Sequence, residues 1–148
     1  MSLAAYTRNR GRMLAFQTAD CALLAIAQVI FEAPAGAAAL IIGAVRNILM
    51  LKNRFGFGMM LIFSSGAAVL GLLTNTKGLI GFIPVIATLV LTVGLYRFRS
   101  PRGAKLVIFL NLLLWSVYSV FISDLATAVS NGASALICLI TVFIKEKE

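Results

Sequence analysis

Six apolar runs in 148 residues predict an all-α integral membrane protein with six transmembrane helices. Composition points there first. The chain is 61% hydrophobic and 12% charged, and a soluble domain carries about twice that charged fraction. Length is the second observation: about 20 apolar residues rising 1.5 Å each cross a hydrocarbon core of about 30 Å. The third is placement, because the charges gather in short clusters between the runs.

The elements follow in order. Residues 1–12 are polar and basic. The first run, Met13 to Phe31, contains Asp20, and Glu32-Ala33-Pro34 turns the chain. Pro34 suits the first turn of a helix, where its missing N–H is not needed. The second run, Ala35 to Leu51, contains Arg46 and is closed by Lys52 and Arg54. The third, Gly56 to Thr74, is glycine-rich and turns at Asn75 to Gly78. The fourth, Leu79 to Tyr96, holds Pro84. The basic loop 97–105 is the longest connection. Two runs of about 19 residues, meeting at Asp124, complete the chain.

Six spans put successive loops on alternating sides. One side then collects Arg8, Arg10, Arg12, Lys52, Arg54, Arg97, Arg99, Arg102, Lys105, Lys145 and Lys147; the other holds Lys77 with Glu32 and Asp124. Such a bias places the basic side, and with it both termini, in the cytoplasm. It also accounts for the net charge of +8 without nucleic acid as a partner. The first run lacks a small-residue cleavage site, so a span is expected there and not a signal peptide.

Residues 12–52 and 105–145 repeat one pattern: basic, span, acidic turn, span, basic. A shift of about 92 residues lays Glu32 on Asp124. Both hairpins start on the basic side, which makes the repeat parallel. The layout is two helices (13–52), a linker helix (56–74) and three helices (79–148).

Polar residues inside the runs fall on helical stripes. Asn111, Trp115 and Tyr118 share one face, as do Thr127, Asn131, Ser134 and Thr141, and Pro84, Thr88, Thr92 and Tyr96. Hydrocarbon offers no hydrogen-bond partner, so these stripes should turn toward protein or a wet cavity. Trp115 and Asn131 come to within a few ångström in depth near the midplane of a core about 30 Å thick. The last three helices are therefore expected to line a polar cavity with Trp115 and Asn131 together. The competing reading makes the same polar groups helix glue, worth about 0.6–2 kcal/mol each. Asp20 and Arg46 are expected to pair about 9–12 Å below the basic edge, because an unpaired charge there is costly. Small residues at spacing four (Ala35, Ala39, Gly43; Ala67, Gly71; Ala128, Gly132) are packing signals.

Chemistry is narrowed by what is missing. The chain has no histidine, and Cys21 and Cys138 have no metal-ligand spacing. They read as small buried hydrophobes. No paired carboxylates, phosphate-binding glycine loop or nucleophile elbow is present. No enzyme, metal or cofactor is expected.

The stretch Asn111 to Ile144, with Trp115 before the acidic turn at Asp124 and Asn131 beyond it, resembles the second and third helices of the SemiSWEET and SWEET sugar transporters. The runs APAGAAALIIGAVRNILMLK (Ala33 to Lys52) and IPVIATLVL (Ile83 to Leu91) are similar to the bacterial inner-membrane YgjV family, a relative of that superfamily, over nearly the whole chain. The resemblance implies a multi-pass inner-membrane protein with a three-one-three layout. Here the opening helix is expected to be truncated or supplied by another subunit, and the Pro-Gln pair of SemiSWEET first helices is absent. By that resemblance the protein would carry a small neutral polar solute, such as a sugar, by rocking two bundles. Trp115 and Asn131 would bind it, and Thr88, Asn111 and Tyr118 would line its path. The alternative is a non-transporting scaffold, or a half-module completed by a second copy.

Overall fold

The computed structural model describes residues 10–143. Arg8, Lys145 and Lys147 of the charge pattern lie outside them. Six α-helices are formed, with no strand among the described residues: α1 (Arg10–Ile30), α2 (Pro34–Leu51), α3 (Phe57–Thr74), α4 (Ile83–Arg97), α5 (Pro101–Phe121) and α6 (Leu125–Phe143). With the 3-10 turn Gly78–Phe82 leading α4, each is long and apolar enough to cross a membrane.

Two boundaries differ from the sequence expectation. The fourth run does not start as one helix: Gly78–Phe82 is a 3-10 segment, and Pro84 lies in the first turn of α4. A proline there breaks no hydrogen bond and causes no kink. The basic loop 97–105 shrinks to three residues, because Ser100 caps α5. Its hydroxyl accepts from the Gly103 N–H at 3.1 Å, and Pro101 opens the helix.

The helix ends at α1, α2 and α5 close with one turn. In α1, the Ala33 N–H reaches back to the Gln28 carbonyl and the Glu32 N–H to Val29; in α5, Asp124 pairs with Ser119 and Ser123 with Val120. Arg54 with Leu49 and Asn53 with Met50 repeat the pattern after α2. Each turn needs one left-handed residue, here Glu32, Asn53 and Ser123, with φ of 50°, 53° and 63°. The two hairpins thus superpose Ala33 on Asp124, one position off the alignment that the acidic residues suggest. Asp124 does more than turn the chain. Its Oδ1 accepts from the Thr127 N–H at 3.0 Å and caps α6.

Packing separates an inner set of helices from an outer one. α2 touches α1, α3 and α4; α4 touches α2, α3 and α5; α6 packs on α5. Side chains close the ring: Met13 and Leu14 of α1 join one apolar cluster with Leu95 of α4, Leu112 of α5 and Cys138 of α6. Close approach rests on glycine. A side chain at Gly71 would run into Val85 between α3 and α4, and one at Gly94 into Val107 between α4 and α5. The outward faces carry exposed Leu23, Ile26, Leu73, Val129 and Leu136, the surface a lipid solvent demands.

The α4–α5–α6 arrangement corrects one expectation. α4 and α6 each pack on α5, and Leu95, Leu112 and Cys138 of the three meet in an apolar cluster where a polar cavity was expected. The Ser116 hydroxyl donates to the Ala128 carbonyl at 2.8 Å, and Gly132 lies against Ser116. That contact draws α6 to one side of α5.

A left-handed backbone costs an L-residue about 1–2 kcal/mol that glycine avoids. Glu32→Gly and Ser123→Gly are each expected to raise stability by up to about 1 kcal/mol, read from thermal unfolding in detergent. Asp124→Ala should lower it by about 1 kcal/mol through the lost cap, while Asp124→Asn retains most of it.

Candidate functional site

Arg46 is 1% exposed, in the last third of α2. Its Nε and Nη2 donate to Asn47 Oδ1 at 3.1 and 2.9 Å, and its Nη1 donates to Thr92 Oγ1 at 2.9 Å. The Thr92 hydroxyl in turn donates a hydrogen bond to the Thr88 carbonyl at 2.6 Å. The sequence set Asp20 against this charge. The hydrogen bonds that hold the guanidinium come instead from neutral oxygens. Asn47 is the next residue on its own helix, and Thr92 faces it from α4. Asp20 is half-buried, one position before Cys21 and so about 100° away around α1.

Beside Arg46 lies a void of about 20 Å³, bordered by α1, α2, α4 and α5. Gln17 and Cys21 of α1, Asn47 of α2, Thr88 of α4, and Asn111 and Trp115 of α5 line it. Three polar atoms of these residues are buried without a hydrogen bond: Gln17 Oε1, Asn47 Nδ2 and Asn111 Oδ1. A void of this size holds about one water, which needs two to four polar partners.

Of the five residues expected to bind a solute, the structure brings Thr88, Asn111 and Trp115 to this void and leaves two elsewhere. Tyr118 is fully buried in an apolar cluster, edge-on to Trp115 at 5.7 Å and 84°. Asn131 is buried on α6, the helix that packs on α5, and α6 contributes nothing to the void. Asn131 therefore does not line this void with Trp115.

A second cavity, of about 540 Å³, opens at the basic end of the bundle. It is lined by Leu14, Met50, Leu95, Tyr96, Asn53 and Arg99 among others. Leu14, Met50 and Leu95 lie one helical turn from Gln17, Arg46 and Thr92 on the same helices. The vestibule and the void are thus separated by a single apolar layer about 5 Å deep. A groove of about 690 Å³ at the acidic end runs between the α1–α2 turn and Lys77, on the outer side of α2.

Such an arrangement can recognise a small polar group: a planar cation, three buried amides, a hydroxyl and an indole face. A family model described as bacterial inner membrane protein, Imp-YgjV, matches residues 2–148. The chain belongs to the Imp-YgjV family. Comparison with curated proteins and with solved structures gives no match.

In this Imp-YgjV chain, sequence reasoning missed Gln17 and Asn47 and set Cys21 aside. A signal was present for Asn47. The small-residue stripe Ala35, Ala39, Gly43 reaches Asn47 in one more step of four, so a buried amide sat on a face already marked as close-packed. Gln17 stands four residues before Cys21 on α1, and nothing in its own run distinguishes it.

Thr92→Val removes the acceptor of Arg46 Nη1 at nearly constant shape. It is expected to cost about 1–3 kcal/mol, as a buried charged donor loses its partner. Thermal unfolding in detergent reads the loss, and Thr92→Ser should behave as wild type.

Proposed function

We propose that this inner-membrane protein carries a small polar solute, a sugar being one candidate, along a path between its two hairpins. In this reading the basic end faces the cytoplasm with both termini, which the bias of charge supports. The vestibule of about 540 Å³ is then the cytoplasmic mouth, and the void beside Arg46 is the inner end of the path. One observation carries the reading: buried polar atoms without partners line a void one helical turn from an open cavity. Interiors that serve packing alone leave few such atoms. Intramembrane ionisable residues mark substrate paths more often than lipid contacts. The chemistry is transport, not catalysis, and uses no cofactor.

The parallel repeat supports a SWEET-like mechanism, two helices rocking against three about a linker. Its support is the shared order of basic, span, acidic turn, span, basic in residues 12–52 and 105–145. Thr88, Asn111 and Trp115 contact the solute, Tyr118 braces the Trp115 ring edge-on, and Asn131 sits on α6, which packs on α5.

A second reading has its own observation. A void of about 20 Å³ holds no sugar as it stands. A scaffold whose polar groups glue helices together, or a half-module completed by a second copy of the chain, would need no larger one.

Uptake into proteoliposomes separates the two. Under the carrier reading, Trp115→Ala with Asn111→Ala cuts flux at least tenfold while the melting temperature stays within a few degrees. Asn131→Ala lowers stability and spares most of the flux. Well-folded protein that moves none of a panel of sugars, polyols and small acids establishes the scaffold.

A further inference from the structure

We propose that the group recognised beside Arg46 is an anion, with a carboxylate head group as the form that fits. The path by which it arrives rests on the transport reading; the binding site does not. Arg46 is buried among apolar helices, yet its hydrogen-bond partners are neutral: Asn47 and Thr92. A guanidinium carries five N–H groups in a planar fork, and those bonds take three. The fork matches a carboxylate, whose charge offsets the cost of holding a cation in a low dielectric.

The surroundings keep that fork approachable. A side chain at Gly43 would stand 3.8 Å from Nη2 and 3.5 Å from Cys21 Sγ, so glycine leaves this side of the cation uncovered. Gln17 and Asn111 are nearly fully buried at the void with an amide oxygen unpaired, and Asn47 with its amide nitrogen unpaired. Rotation of the Gln17 or Asn111 amide offers N–H to an anion, and the oxygen otherwise accepts from a hydroxyl beside the carboxylate.

Room dictates the shape of the ligand. The void of about 20 Å³ takes one oxygen in place of a water, and the remainder must lie toward the vestibule. Leu14 and Leu95 of the separating layer are buried, whereas Met50 is half-buried, unbranched and able to swing. Arg99 lines the vestibule, and Lys52, Arg54 and Arg97 stand exposed at the same end of the bundle. Their field concentrates anions at the mouth.

The test uses the full chain in detergent, with sodium glycolate, sodium chloride and sorbitol as probes and the two salts compared at equal ionic strength. Cys21 lines the void and Cys138, on α6, does not, so the two thiols report and control. Glycolate should slow N-ethylmaleimide labelling of Cys21 at least fivefold, leave Cys138 unchanged and raise the melting temperature saturably; sorbitol should do none of these. Arg46→Gln should abolish the protection, and Arg46→Lys, which keeps the charge without the fork, should weaken it about tenfold. Asp20→Asn should retain it.

The proposal is overturned by absence of protection in the wild-type chain, by protection that survives Arg46→Gln, or by its loss in Asp20→Asn, which would make Asp20 the counter-ion. Protection by chloride and not by glycolate would assign the fork to a halide and overturn the carboxylate. Glycolate protection without uptake keeps this site and removes the carrier. Sugar uptake without glycolate protection does the reverse.

Discussion

Lipid cannot accept or donate a hydrogen bond, and the interior of this protein is arranged around that fact. Every helix shows an apolar face outward, while Gln17, Gln28, Arg46, Asn47, Thr88, Thr92, Asn111 and Asn131 are buried. Inside, the groups satisfy one another only in part. Arg46, Asn47, Thr92 and Thr88 form a continuous relay from α2 to α4. Other buried polar atoms, including both of the Gln28 amide and the Tyr118 hydroxyl, make no hydrogen bond within the chain.

The two hairpins share a turn and diverge in what they bury. At matching places in that turn, α1 offers Gln28 and α5 offers Ser119, and the residue that leads into the next helix is Ala33 in one and Asp124 in the other. Asp124 caps α6 with its side chain; α2 has no side-chain cap and opens on Pro34. Gly36 in the first turn of α2 leaves room for Gln28. The first hairpin then supplies the cation and two amides of the central void, and the second supplies Trp115 and Asn111. The void thus has two unlike walls, one with the cation and one with the indole.

Close packing sets how near these walls come. Gly94 lets α4 meet Val107 of α5, and Gly71 lets α3 meet Val85 of α4. Small residues replace the hydrophobic effect as the means of drawing helices together, since Leu against Leu gains little over Leu against lipid. α3 buries only Met60, Ala67 and Gly71 of its length, and serves as an outer brace across α2 and α4.

The linear chain by itself determined the solvent, the number of spans and which residues turn inward. These depend on run length and on the angle between successive side chains around a helix, both local properties. Thus Thr88, Asn111 and Trp115 were legible as one inward-facing set. Which helix faces which is not local. It was decided by the Ser116–Ala128 hydrogen bond, which holds α6 to one side of α5, and by Gly94, which seats α4 against α5. For that reason Asn131 and Tyr118 fall outside the void, Gln17 and Asn47 fall within it, and Arg46 meets Thr92. Depth along a helix can be counted from the sequence; azimuth between helices exists only once they are packed.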